Sequence, residues 1–100
     1  YRQALNDVEK AIVLRPDEAY YYNNRGLYKL LLGDLDAGLE DINYSIKQDP
    51  KNLFAIRNKG IYYALKGQKE LALRYLNEVK EKDPEMDLVD DYLKTIGKND

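Results

Sequence analysis

The sequence predicts an all-α solenoid of antiparallel helix pairs, and two observations carry the prediction. The three prolines, Pro16, Pro50 and Pro84, follow one another at intervals of 34 residues. Residues of quite different chemistry keep the same interval: Gly26 with Gly60, Gly33 with Gly67, Asn24 with Asn58, Tyr28 with Tyr62, and Asp49 with Asp83. Small and apolar positions share the register too, Ala4 with Gly38 and Ala72, and Val8 with Ile42 and Leu76. A fixed period of this size marks stacked units that bury a continuous core only by packing on their neighbours.

Within each period the apolar residues recur at helical spacing, and Gly and Pro fall where helices should stop. The pattern predicts helices over 1–14, 18–32, 35–48, 52–66, 69–82 and 86–96. Gly33 and Gly67 suit the left-handed position just past a helix end, and Asp17, Asp34 and Asn52 are placed to cap the next helix start. Each proline disfavours helix at the residue before it and so marks the turn between periods.

Three glycines lie inside predicted helices, where each costs about 1 kcal/mol relative to alanine. Close packing accounts for them: if Gly26 faces Gly38, and Gly60 faces Ala72, the two helices of a period cross with their backbones close together. A larger side chain at any of these positions would prop the helices apart.

A 34-residue period with a small residue midway in the first helix (Gly26, Gly60) resembles the tetratricopeptide repeat. Gly at the turn (Gly33, Gly67), small residues in the second helix (Gly38, Ala72) and a closing Pro (Pro50, Pro84) belong to the same pattern. The resemblance implies a right-handed superhelix with complete repeats at 19–52 and 53–86. Residues 1–18 read as the second helix of a truncated repeat, with Tyr1, Ala4, Val8, Ala11 and Pro16 on the pattern. Residues 87–97 read as a capping helix with one apolar stripe (Val89, Tyr92, Leu93, Ile96), which Gly97 and a polar tail, 98–100, bring to an end. A helical pattern already under way at Tyr1 reads as a piece of a longer chain.

The chain departs from the family where Arg25 and Lys59 precede the helix glycines and where Lys29 stands at a usually aromatic site. A long cation at a seam must find an acid or extend to water. Asp7 and Asp41 are one period apart in second helices, so Arg25 is expected to pair with one of them. In the next repeat that acid is Tyr75 and the cation is Lys59, as if the pair were exchanged together.

The resemblance also implies that first helices line a concave binding face. That face would carry Tyr20, Asn23, Asn24, Leu27, Leu30 and Leu31 from one repeat. The next would supply Phe54, Arg57, Asn58, Ile61, Ala64 and Leu65, extended by Leu88, Asp91 and Tyr92. Aromatic residues over an apolar floor with a few polar groups suit a protein or peptide ligand. Asn24 and Asn58 either hold the ligand backbone or tie one repeat to the next, and Tyr20 and Phe54 are either contacts or core. Tyr21, Tyr22, Tyr28, Tyr62 and Tyr63 read as seam packing with hydroxyls reaching solvent. Family members that grip carboxyl-terminal tails use Lys, Asn and Arg on three successive first helices. Here Asn24 or Asn58 could serve as the asparagine, but Phe54, Asn58, Leu88 and Tyr92 stand at the basic sites, so a more apolar ligand is expected.

Composition narrows the remaining choices. With 100 residues, 44% hydrophobic and 34% charged, the chain is of ordinary single-domain type. Its 16 basic and 18 acidic residues leave a net charge of -2, without the basic patch a phosphate backbone requires. No cysteine and no histidine occur, so the common nucleophile and base pairs are missing, as are thiolate metal sites, and no cofactor is expected. Neighbouring acids such as Asp90 and Asp91 project to different sides of a helix, and Glu70 with Arg74 and Glu78 with Lys82 read as surface pairs. No apolar run approaches the roughly 18 residues of a membrane span. The alternative to ligand binding is self-association through an N-terminal edge around Ala4, Val8, Ala11 and Ile12, left partly uncovered by the missing first helix.

Overall fold

The computed structural model of the chain describes residues 1–98. Among them lie six helices: α1 (Arg2–Leu14), α2 (Ala19–Leu31), α3 (Leu35–Gln48), α4 (Leu53–Leu65), α5 (Lys69–Lys82) and α6 (Val89–Lys98). Successive helices pack as antiparallel pairs in an α-solenoid about 43 Å long. The inner layer is set by neighbours: α2 touches α4 and α4 touches α6, whereas among the described residues α1, α3 and α5 do not touch one another. The first helices of successive periods therefore lie side by side, and the second helices fan outward.

Two kinds of turn produce this path. Gly33 and Gly67 adopt φ of 95° and 77°. Each lets the following N–H reach back five residues in a Schellman closure, Asp34 N to Lys29 O at 2.8 Å and Gln68 N to Tyr63 O at 2.9 Å. At the other turn Arg15, Asp49 and Asp83 leave the helix with φ between -138° and -145°, the extended backbone that a following proline imposes. Asp49 and Asp83 each accept a bond from the second N–H beyond them. Arg15 cannot, and there the Tyr22 hydroxyl donates to Pro16 O at 2.7 Å instead.

Of the three expected caps, only Asn52 acts through its side chain, accepting from Phe54 N at 2.9 Å and Ala55 N at 3.4 Å. Asp34 occupies the start of α3, but its ψ of 76° is not the fully extended geometry that points a carboxylate at the helix, and no side-chain cap forms. The residue before α2 is Glu18 and not Asp17, again without a side-chain cap. One period after Asn52 stands Met86, which has no capping oxygen and is buried against the core. The chain turns through Asp87 and Leu88, with Leu88 at φ 70°, and α6 starts at Val89 and not near residue 86. It continues through Gly97, which does not end it, to Lys98. Asn99 and Asp100 of the polar tail lie outside the described residues.

The core runs along the array from Leu27, Leu30 and Ile42 through Ile61, Leu76 and Val79 to Val89 and Ile96. Its geometry is governed by the helix crossings. A Cβ on Gly26 would sit 2.7 Å from Ile42 Cγ1 and 2.8 Å from the Gly38 carbonyl oxygen, and one on Gly38 would sit 2.8 Å from the Gly26 carbonyl oxygen. These two backbones touch. In the next period a Cβ on Gly60 would sit 2.9 Å from Leu76 and 3.2 Å from Tyr75, the counterparts of Ile42 and Asp41, and Ala72 is not among the three nearest atoms it would meet.

The cations flanking these crossings are satisfied in two ways. Arg25 makes a bidentate pair with Asp41, at 2.7 and 2.8 Å, and Lys29 reaches the same carboxylate at 3.1 Å. The hydrogen bond to Asp41 raises the Arg25 pKa, against the opposing effect of burial. One period later Lys59 lies over the Tyr75 ring at 5.8 Å, and Tyr63, the counterpart of Lys29, stacks on Tyr75 at 5.6 Å. A carboxylate with two cations has become an aromatic stack with one. Tyr62 is buried beside it, and Tyr22 packs on Tyr44 at 4.7 Å.

At the N-terminal edge Val8 and Ile12 are covered by α2, with Ala4 and Ala11 half-buried, so that face is less open than expected. The exposed apolar residues of α1 are Val13 and Leu14, at 80% and 82%. Their counterparts Lys47 and Gln48, and Glu81 and Lys82, are all polar.

Gly26→Ala should lower the thermal midpoint, the overpacking of about 1–3 kcal/mol outweighing a helix-propensity gain of about 1 kcal/mol. Gly97→Ala, where a Cβ meets nothing within 4 Å, should raise it. Thermal unfolding followed by circular dichroism checks both, and a stabilised Gly26→Ala would contradict the backbone contact.

Candidate functional site on the inner face

Side-by-side packing of α2, α4 and α6 divides the residues expected on the concave face into a surface set and a sealed set. Tyr20 and Phe54, one period apart in the first turns of α2 and α4, are 53% and 46% exposed. Leu65 is also exposed, and Asn24, Leu31 and Tyr92 are half-buried. Leu27, Leu30 and Ile61 are core, and Asn23, Arg57 and Asn58 are buried between helices. Those six do not form an open groove wall. Helical spacing alone could not separate them, because the seam between neighbouring first helices lies next to the exposed stripe.

The sealed polar residues form a ladder across the repeats. Asn58 Nδ2 donates to Asn23 Oδ1 at 2.8 Å and approaches the Asn23 carbonyl at 3.4 Å. Asn58 Oδ1 accepts from Arg57 Nε at 3.1 Å, and Arg57 Nη1 donates to Asp87 Oδ1 at 2.8 Å. Of the two roles open to Asn58, tying repeats together is the one its bonds fulfil. Asn24, by contrast, is only half-buried. At the far end of the ladder Asn23 Nδ2 is sealed without a partner.

Arg57 is the buried cation of this ladder. Burial pushes its guanidinium down from the ordinary arginine range, and the charge of Asp87 and its hydrogen bond only partly offset this. The group stays protonated at any physiological pH. Its flat face lies 5.3 Å from the Phe54 ring centre, so the exposed aromatic and the buried cation brace each other. Asp87 was not among the residues expected here. The one signal in the sequence was the loss of the Asn52 cap at Met86, which frees the next residue from the start of a helix.

A depression of about 300 Å3 is lined by Leu88, Asp91, Tyr92 and Thr95, at the start of α6. The Tyr92 hydroxyl is pushed up from the ordinary tyrosine pKa, chiefly by burial and then by the charges of Tyr1 and Asp91. A second depression of about 290 Å3, lined by Ala64, Gly67, Lys69 and Ile96, lies by the turn between α4 and α5. Among the described residues no group of three or more acidic, histidine or cysteine side chains is placed to hold a metal ion. No helix there is long and apolar enough to cross a membrane.

Asn58→Ala strips Arg57 Nε of its acceptor and Asn23 Oδ1 of its donor, and should destabilise the chain by about 2–4 kcal/mol. Asn24→Ala should change stability by less than about 0.5 kcal/mol, as expected for a surface position. Urea unfolding of the two variants measures the difference, and equal losses would count against the ladder.

No protein-family model matches the chain, and neither does any curated protein. Among solved structures it is similar to the Arabidopsis OM64 TPR domain, with a TM-score of 0.77 and 22% sequence identity over 99% of this chain and 82% of that one. The 34-residue period, the glycine crossings, the pre-proline turns and this superposition together establish that the chain has the fold of a tetratricopeptide-repeat domain.

Proposed function

We propose that the chain is a protein-interaction module that holds an extended peptide or protein segment along the inner face of α2, α4 and α6. The observation that carries this reading is the pair Tyr20 and Phe54, large aromatic side chains left about half in water at equivalent positions of successive repeats. A folded chain gains by covering such rings, and aromatic side chains on a rigid floor are the usual energetic anchors of an interface. The ladder beneath supplies that rigidity, since Asn23, Arg57 and Asn58 are immobilised by one another. Leu31, Leu65 and Tyr92 extend the apolar surface, and Asn24 offers an amide able to donate to and accept from a ligand backbone. Binding and not catalysis is the role this surface suits. The cation beneath it is held by an amide and a carboxylate, which fix it in place.

Selection from a displayed random-peptide library, followed by affinity measurement, tests the reading. Tyr20→Ala with Phe54→Ala should weaken the selected peptides about 10- to 100-fold while leaving the helical circular dichroism spectrum unchanged. Undiminished binding by that variant would move the ligand to another face.

A second reading, association between copies of the chain, is favoured by Val13 and Leu14, which are exposed where both later periods are polar. Val13→Lys with Leu14→Gln copies the residues of the next period. Light scattering should then find a concentration-dependent dimer in the native chain and a monomer in the variant. A native chain that is monomeric at every concentration removes this reading.

A further inference from the structure

Arg57 and Asp87 are an unequal pair. The arginine side chain is 6% exposed and the aspartate side chain 77%, although they are joined by a 2.8 Å hydrogen bond. The cation has given up most of its hydration while its counter-ion has kept most of its own. When the contact breaks, the carboxylate returns to water that already surrounds most of it, whereas the buried cation is left needing another acceptor. Asp87 is therefore the exchangeable member.

The guanidinium is also incompletely used. It offers five N–H donors, and its hydrogen bonds engage Nε with Asn58 and Nη1 with Asp87. Among the described residues the sealed side-chain atoms that lack a partner are Asn23 Nδ2 and Ser45 Oγ, and Nη2 of Arg57 is not one of them. That nitrogen thus reaches solvent from a group that is otherwise enclosed. Its orientation is fixed on both sides, by the Asn58 amide at Nε and by the Phe54 ring against its face.

The carboxylate that covers this cation has an unusual origin. At the equivalent place one period earlier stands Leu53, the first residue of α4, and at the place before that Ala19, the first residue of α2. Asp87 is outside its helix, followed by Leu88 in a left-handed backbone (φ 70°) that a residue of its kind adopts only at a cost. The segment that presents Asp87 to Arg57 is the strained one, and beside it lies the depression lined by Leu88, Asp91, Tyr92 and Thr95.

We propose that Arg57 is a binding site for an acidic side chain, aspartate or glutamate, within a bound peptide, and that Asp87 occupies this site as an internal competitor when no ligand is present. The ligand carboxylate takes the place of the Asp87 carboxylate on Nη1 and Nη2, its neighbouring apolar residue covers Phe54, and Asp87 turns into the solvent that already surrounds most of it. This assignment rests on the inner-face reading above and adds to it the chemistry of one ligand position. An internal acid is favoured over a chain terminus because Asp87, which now holds the site, is itself a side-chain carboxylate making a single contact with Arg57.

Three labelled heptapeptides provide the test, each with leucine and phenylalanine flanking the central position. One has a central glutamate and blocked ends, one a central glutamine and blocked ends, and one a central glutamine and a free terminal carboxylate. Fluorescence anisotropy measures affinity for the native chain, Asp87→Ala and Asp87→Asn, the last retaining a hydrogen-bond acceptor should the alanine variant fold poorly. The expected result is that removing the aspartate tightens the glutamate peptide at least tenfold over the native chain. In the same variant the glutamate peptide should bind at least tenfold tighter than either glutamine peptide, and the Arg57 Nε–H resonance should shift on its addition. Equal affinity of the variants for glutamate and glutamine peptides, or no gain over the native chain, overturns the acid site. Preference for the free terminus overturns the choice of an internal side chain. Loss of binding to all three blocked and free peptides in Tyr20→Ala with Phe54→Ala, alongside equal glutamate and glutamine affinity, leaves the inner-face reading standing and removes only this site.

Discussion

The contact on which the rest of this array depends is the meeting of two backbones where α2 crosses α3. Gly26 and Gly38 bring each other's carbonyl oxygens within 2.8 Å of where a Cβ would lie. That approach sets how far Leu30 and Ile42 interdigitate, and so how α2 presents its other sides to α1 and α4. The left-handed turn at Gly33 and the extended residue before Pro50 then return the chain to start the next pair at a nearly constant offset. A repeat array has no long-range core to correct an error in one unit. The regularity of the turns has to supply the regularity of the whole.

Within that frame the repeats differ in how they neutralise charge. Arg25 and Lys29 share the Asp41 carboxylate, whereas Lys59 rests on Tyr75 with Tyr63 stacked behind it. Both arrangements fill the same volume next to a glycine crossing, and both give a long cationic stem somewhere to lie. The first depends on desolvating a carboxylate between two cations, the second on ring polarisability and contact area. Paired substitution at 25 with 41 and at 59 with 75 was visible in the one-dimensional sequence because the period aligned the positions.

Legibility followed the same division between periodic and non-periodic features. Helix existence, the two glycine turns and the crossing at Gly26 and Gly38 could all be read, and the Arg25 partner could be narrowed to Asp7 or Asp41, because each is repeated or is tied to a residue with one physical use. The nearest neighbours of Gly60, which are Leu76 and Tyr75, could not, because a period aligns residues without ranking their contacts. Asn58 was ambiguous for a deeper reason: a helix in an array has neighbours on three sides, and spacing along it does not say which side belongs to the next repeat. The start of α6 was misplaced because Met86 breaks the cap that Asn52 makes, and a broken pattern gives no register to extend. Asp87, which becomes the partner of Arg57, is a product of that break.

The ladder from Asn23 to Asp87 changes character along its length, and this has a consequence for how the array responds to its medium. Between α2 and α4 the link is a neutral amide pair, buried and short in range. Between α4, α5 and α6 the links are ionic and reach the surface, through Asp87 to Arg57 and through Asp90 to Lys80. Dissolved salt screens exposed charges within about 10 Å at 0.1 M and leaves a buried amide bond almost untouched. Added salt therefore weakens the exposed ionic links at α6 while it leaves the amide bond at α2 in place, so the two ends of the array differ in how they answer to ionic strength.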